Sequence, residues 1–363
     1  MSKELNVSLV VGTRPNFIKV APLINELEKD GFKVKLIHTG QHWDQKLSVD
    51  IFEDLKLREP DTHLETPKDS MNMQLGYMIQ QFDEYFTKNP EDELIGVVGD
   101  VTSTLAASVA AKNSGRSLFH IEAGLRSKNL FMPEERNRIM VDHISDICFA
   151  PCEYAVKNLV NENIDNHKIN LVGNIMIDSL LENHERIKSS FNEIKSNLGI
   201  SKDFFVVTVH RDENLNNAIL EEIFTGLNTF SKDYDIILPA HPRLKKFIDN
   251  NSLDTGNLLL VDSLPYVRFL SLVLNSKVCL TDSGGLQEET SVLGVPCLTL
   301  REETERPITV ELGTNKVIGT KKASIIESIK LVLEVGKYEE AKIPLWDGKT
   351  SNRIVNVLKD NYI

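Results

Sequence analysis

The chain has 363 residues, 41% of them hydrophobic and 26% charged. That is the composition of a soluble globular protein, and the length exceeds what one hydrophobic core usually supports, so two domains are expected. A net charge of −12 excludes a general basic field and argues against a nucleic-acid backbone or an anionic membrane as partner.

No apolar run reaches the length of a membrane span, and Met1-Ser-Lys-Glu-Leu5 leads into a strand without a signal peptide, so a cytoplasmic location is expected. Cys148, Cys152, Cys279 and Cys297 each sit in or beside an apolar run, with no CxxC spacing. They are expected as buried thiols, not as disulfides or metal ligands. Along the chain, short apolar runs alternate with segments of helical period. Strands are expected at 5–11, 33–39, 94–98, 117–121, 146–150 and 168–172. After a helical stretch over about 175–197 they resume at 203–209, 235–240, 257–261, 277–281, 296–300 and 316–318. Helical period marks 16–30, 69–88, 101–114, 134–145, 216–231, 265–275 and 322–335. Repeated β-α units predict an α/β fold with two Rossmann-like domains, each a doubly wound parallel sheet, facing each other across a cleft.

In open parallel sheets, ligands sit beyond the carboxyl ends of the strands. The chemically loaded residues fall there: Gly12 to Pro15, Gly99-Asp100, Glu122 to Arg126, His210-Arg211, His241 to Arg243, Asp282 to Gly285, and Arg301 to Arg306. The fullest example is the apolar run Val278 to Leu280, which stops at Thr281-Asp-Ser-Gly-Gly285 before a helical pattern carrying Glu288 and Glu289. Open backbone N–H groups and the helix dipole at such a start suit phosphate, and the glycines allow close approach. Glu288 and Glu289, a turn further in, could accept hydrogen bonds from a ribose; an ordinary βα turn with a solvated acidic helix is the alternative.

Arg14 and Lys19 flank a helix start at Pro15 and could reach a diphosphate, or be two exposed cations at a helix end. No GxGxxG is present, and the second strand ends His38-Thr-Gly-Gln-His42, not in an acidic ribose ligand. A tightly held NAD is therefore not expected, nor any other cofactor. Asp100, Glu122 and Glu134 come from neighbouring strand ends and a helix start. Crowded carboxylates push their pKa values apart, which lets one act as base and another as acid. For Asp100 and Glu134 the alternative is N-capping of the helices that follow. His210 ends the first strand of the second domain and could bind phosphate or carry a proton, unless it is a satisfied core histidine. No His, Cys and Asp cluster has metal-ligand spacing, so no metal is expected.

These motifs together resemble the non-hydrolysing UDP-N-acetylglucosamine 2-epimerases. GTRPNFIKVAPL from Gly12, HTGQH from His38, GDVTSTLAAS from Gly99, HIEAGLRS from His120 and MPEERNR from Met132 are followed by HRDEN, TDSGGLQEE, TERP and DGKTSNRIV. Each is weak alone; the ordered set is specific and spans essentially the whole chain. The resemblance implies a GT-B-like fold with UDP in the interdomain cleft. Residues 1–172 would form the first domain and 173–348 the second, with a last helix in 349–363 crossing back to the first. UDP would be held by Ser283, Gly284, Gly285, Glu289, Phe269, His210 and Arg306, with Arg14 and Lys19 reaching from the first domain. Asp100, Glu122 and Glu134 match the family's catalytic carboxylates, and His210 joins them as a group able to carry a proton.

The implied reaction is elimination and re-addition. A base takes the C2 proton while UDP leaves C1, giving a 2-acetamidoglucal, and UDP returns as a proton is delivered to the other face. The chemistry needs two acid–base groups and a cationic grip on the diphosphate, without nicotinamide. The expected partner is the UDP-sugar alone, and the expected assembly is a homodimer. The chain departs from the commonest pattern at Asp212, where a second Arg is frequent, at Asn216-Asn217, and at Trp43-Asp44. Thr66 to Met73 lacks the Arg of members activated by their own substrate, which argues against such activation. These departures lie nearer to relatives acting on UDP-2,3-diacetamido-2,3-dideoxyglucuronate, the alternative sugar. A GT-B glycosyltransferase is the alternative of another class.

Overall fold

A computed structural model describes residues 5–41, 52–67, 69–336 and 338–363. The departure at Trp43-Asp44 therefore lies outside the described residues, as does Lys68 in the Thr66 to Met73 segment.

The chain divides into two compact units, one of residues 1–182 with 344–363 and one of residues 183–343. In the first, β1 (Asn6–Val11), β2 (Lys33–His38), β3 (Thr62–His63), β4 (Leu94–Val98), β5 (Ser117–Ile121), β6 (Ile147–Ala150) and β7 (Ile169–Leu171) form a seven-stranded sheet ordered β3-β2-β1-β4-β5-β6-β7. In the second, β8 (Phe204–Thr208), β9 (Asp235–Ala240), β10 (Leu259–Asp262), β11 (Val278–Thr281), β12 (Cys297–Thr299) and β13 (Asn315–Val317) form a six-stranded sheet ordered β10-β9-β8-β11-β12-β13. Neighbouring strands run parallel in both sheets, with Val98 opposite Ile121 and Thr281 opposite Thr208. Leu94–Val98 and Val278–Thr281 are buried along their whole length, because helices cover both faces of a parallel sheet. Ile95 and Val97 pack with Phe82, Leu105 and Ala106 in the first unit; Phe205, Val207 and Leu280 pack with Leu220 and Phe224 in the second.

Strand order reverses between β1 and β4 in the first sheet and between β8 and β11 in the second. Chains leaving those strands in opposite directions open a crevice at their carboxyl ends, the usual ligand position in a doubly wound sheet.

Some elements differ from the sequence reading. The stretch 175–197 is three helices, Ile175–Glu182, His184–Ser189 and Phe191–Asn197, interrupted at Asn183, with φ −99° and ψ 3°, and at Ser190. Two-residue β3 and the helices Glu153–Asn161 and Pro242–Asn251 were not anticipated. The units divide after Glu182 and Ile343, not at 172 and 348. Helix Ile175–Glu182 stays with the first unit because Ser179 Oγ donates to Ile18 O on helix Arg14–Lys29. The returning chain is tied to that unit from Trp346, whose Nε1 donates to Pro151 O at 3.1 Å.

Candidate active site

At the end of β1 the chain turns through Gly12 into helix Arg14–Lys29, with Thr13 as an extended N-cap and Pro15 in the first turn. Asn16 Oδ1 accepts from Gly12 N at 3.1 Å, Thr13 N at 3.0 Å and Thr13 Oγ1 at 3.0 Å, while its Nδ2 donates to Val98 O at 3.3 Å. One side chain thus closes the turn after β1 and ties it to the end of β4. A turn further along, Lys19 is buried and forms an ion pair with Glu122, also buried. Arg14, at the head of the helix, is half-buried.

Glu122 follows β5 with φ 72°, a left-handed conformation costing a non-glycine residue roughly 1 kcal/mol or more. Gly99 follows β4 with φ 71°; a Cβ there would lie 3.5 Å from Glu122 Oε2 and 3.8 Å from Lys19 Nζ. The adjacent Asp100 is half-buried and ion-paired to Arg138 of helix Pro133–Ile144. Asn137 Nδ2 donates to Asp100 O at 2.9 Å. Arg138 is in turn held by Glu135 at 3.1 Å and Leu125 O at 3.2 Å.

In the second unit, His210 and Arg211 follow β8, and Asp282 follows β11 beside it. Asp282 is buried and accepts from His210 N at 3.0 Å, Arg211 N at 2.9 Å and Asn214 Nδ2 at 3.1 Å; His210 Nδ1 lies 2.7 Å from its Oδ1. Burial pushes this carboxyl upward, but the His210 charge and the converging hydrogen bonds outweigh it and hold Asp282 below the usual carboxylate range. Ser283 then leads into helix Gly284–Leu293 in extended backbone, and its hydroxyl makes no capping bond. The first-turn donors of that helix are therefore not satisfied by their own N-cap. Arg306 lies directly against the turn: a Cβ on Gly284 would fall 2.4 Å from its Nη1. The guanidinium is fixed by Glu288 at 2.8 Å and Glu305 at 3.2 Å. Glu305 also receives Arg301 at 3.1 Å and Arg211 at 3.4 Å, which gathers cationic groups behind the glycine turn. Tyr266 OH donates to Glu289 Oε1 at 2.8 Å, joining helix Tyr266–Asn275, which carries half-buried Phe269, to helix Gly284–Leu293.

Lys19, Glu122, Gly99 and Asp100 thus come together in the first unit, and Arg306, Ser283 and Gly284 in the second, where Glu289 is held by Tyr266. His210 is about half exposed at its side chain, so it is not the satisfied core histidine of the alternative reading. Asp100 does not cap the next helix: Val101 is the N-cap of Thr102–Asn113, and the Asp100 carboxylate goes to Arg138. Nor does Glu134 cap, since Met132 is the N-cap; Glu134 stands exposed in the first turn, where a carboxylate suits the helix dipole. Glu288 is buried against Arg306 and holds that guanidinium instead of facing a ribose. Sequence reasoning gave no role to Asn16, Arg138 or Glu305. Asp282 stands among the loaded strand-end residues of the sequence reading but received no role of its own there; the structure makes it the acceptor that holds the His210 turn. Among the described residues no group of His, Cys, Asp and Glu could hold a metal ion.

The family described as UDP-N-acetylglucosamine 2-epimerase matches residues 25–359. A Methanococcus maripaludis protein named UDP-N-acetylglucosamine 2-epimerase is 37% identical over 366 residues, covering 97% of this chain and 98% of its own. The UDP-2,3-diacetamido-2,3-dideoxy-D-glucuronate 2-epimerase of Pseudomonas aeruginosa is 33% identical over 359 residues, covering 98% of this chain and 99% of its own. The crystal structure of Methanocaldococcus jannaschii UDP-GlcNAc 2-epimerase in complex with UDP-GlcNAc and UDP matches with a TM-score of 0.91 at 36% identity, covering 98% of this chain and 100% of that one.

Proposed function

The chain belongs to the UDP-N-acetylglucosamine 2-epimerase family, and from that premise we propose that it interconverts UDP-GlcNAc and UDP-ManNAc without hydrolysis. The observation that carries this reading is the pair of carboxylates Asp100 and Glu122 on neighbouring strand ends, each held by its own cation, Arg138 and Lys19. C2 of the sugar is not beside a carbonyl, so its proton is not acidic and simple deprotonation fails. Breaking the C1–O bond as the C2–H bond breaks removes that obstacle: the C–H electron pair forms the C1–C2 double bond and UDP departs with the C1–O pair. In the return step UDP oxygen attacks C1 and the alkene pair takes a proton at C2 from the opposite face.

Asp100, Glu122, Glu134 and His210 are the acid–base groups in this proposal. Ser283, Gly284, Gly285, Glu289, Phe269 and Arg306 bind the UDP portion, with Arg14 and Lys19 for the diphosphate. The capless start of helix Gly284–Leu293 beside Arg306 supports that assignment, because orphan N–H donors and a fixed guanidinium favour a developing anion. No cofactor enters the scheme. A homodimer in the cytoplasm completes the proposal; the four buried free thiols support a reducing compartment, and light scattering reads the mass directly.

The decisive experiment incubates the protein with UDP-GlcNAc in D₂O without added NAD and follows the sugar by NMR. Deuterium at C2 together with a UDP-ManNAc signal is expected. Release of free N-acetylmannosamine and UDP would instead identify a hydrolase, and transfer of the sugar to an added acceptor would identify a glycosyltransferase. A second reading keeps the mechanism and changes the sugar to the diacetamido uronate. The full-length likeness to the Pseudomonas aeruginosa enzyme favours it, as does Asp212, which is paired with Arg243 where a second Arg is frequent. Turnover of that sugar alone would select it.

A further inference from the structure

His120 is fully buried in β5 and touches acceptors at both ring nitrogens. Nδ1 lies 2.6 Å from Asp142 Oδ1 and Nε2 lies 2.8 Å from Gly99 O. A backbone carbonyl can only accept, so Nε2 carries a hydrogen. Asp142 is fully buried, and its Oδ2 also takes Gly124 N at 3.0 Å and Arg126 Nη2 at 2.7 Å. Hydrogen-bond donors and a guanidinium on the second oxygen fix Asp142 as a carboxylate, so Nδ1 carries a hydrogen as well.

We infer that His120 carries a hydrogen on each ring nitrogen, one for each acceptor it faces, and is a positioning residue for the proposed acid–base turns, an assignment that rests on the proposed epimerase site. Its ring grips both turns at once. Nε2–H holds the carbonyl of Gly99, the left-handed residue directly before Asp100, and Gly99 N donates back to Ile121 O at 3.1 Å, directly before Glu122. Through Asp142 the same pair fixes Gly124 N, two residues beyond Glu122. A neutral imidazole has one N–H and would leave either the carbonyl or the carboxylate facing a lone pair. The unit is otherwise closed: Cys148 Sγ donates to Asp142 O at 3.5 Å, and Arg126 is also engaged by Glu162 at 2.7 Å. None of these groups touches the sugar in the scheme above; they fix where Asp100 and Glu122 stand.

The ring state is read without any activity. In the full chain labelled with 15N-histidine, which has 9 histidines, the His120 resonances are identified by their loss in His120→Gln. Both ring nitrogens are expected in the protonated range at pH 7.5, each with a one-bond N–H coupling. One nitrogen in the unprotonated range would overturn the inference. If His120→Gln does not fold, selective perturbation in Asp142→Asn identifies the same signals. For positioning, His120→Gln is expected to lower kcat about 100-fold, the scale of a catalytic group misplaced by an ångström, with KM and UDP affinity within about threefold. Unchanged kcat, or equal losses in kcat and UDP affinity, would overturn the positioning role. If the wild-type protein incorporates no deuterium at C2 but shows a hydrogen on each ring nitrogen, the epimerase reading fails while the ring assignment stands.

Discussion

Gly284 has no room for a side chain, because the Arg306 guanidinium occupies the space where a Cβ would stand, 2.4 Å from Nη1. Gly284→Ala must therefore push Arg306 away from Glu288 and Glu305 while leaving the strand core untouched. UDP affinity is expected to fall about tenfold, the weight of one charge-assisted contact, with an unchanged circular dichroism spectrum; calorimetric titration with UDP measures it. The acid–base pair should behave oppositely. Asp100→Asn or Glu122→Gln keeps each side chain's size and removes the charge, so turnover should fall by roughly 10²- to 10⁴-fold while UDP affinity stays within a few-fold. A large loss of UDP binding in either variant would mean that the carboxylate grips the nucleotide instead. At this scale the sequence marked the charged residues at the strand ends but not the side chains that hold them. Asp100, Glu122 and Arg306 stood out as charges at strand ends. Arg138, Asn16 and Glu305 did not, because their roles depend on contacts such as Asn16 to Val98 or Arg138 to Asp100, far apart in the chain.

Helix Thr350–Tyr362 starts without a side-chain cap of its own, and the missing acceptor comes from helix Ile175–Glu182. Buried Asp178 takes Thr350 N at 3.1 Å, Ser351 N at 2.7 Å and Ser351 Oγ at 2.8 Å. Arg353 adds a bond to Val172 O at 3.0 Å. Asp178→Ala should destabilise the first unit by about 2 kcal/mol, the cost of a lost cap inside a buried site. Urea unfolding followed by far-ultraviolet circular dichroism checks this; a change under about 0.5 kcal/mol would mean that apolar packing alone holds the helix. Most elements were legible, since apolar runs and helical periods report which faces are buried. The exceptions share a cause. Two-residue β3 has too few side chains to show alternation, and the breaks at Asn183 and Ser190 carry neither Gly nor Pro.

Over the whole molecule, the clearest pH effect comes from a group away from the acid–base turns. His38 is buried at the end of β2, stacked on Phe17 with ring centroids 5.3 Å apart, and its Nδ1 accepts from Gly40 N at 3.2 Å. Burial first, then the neighbouring His63, lowers its pKa to about 4. The folded chain therefore keeps His38 neutral where the unfolded chain takes up a proton. Its contribution is full above the unfolded value near 6.5 and is lost as pH falls toward 4, about 3 kcal/mol across the window. The urea-unfolding free energy of the first unit should decline over that window, and His38→Gln should flatten the decline; an equal slope in the variant would assign it to other groups. The amino-acid order alone already specified two parallel α/β sheets, because burial period is a local property of the chain, and its ordered motifs carried the family resemblance that implied the reaction class. Tertiary structure decided the rest. Which cation holds which carboxylate, why Gly284 must be glycine, and that a buried His120–Asp142 pair ties Gly99 to Gly124 all arise from atoms brought together from separate parts of the chain.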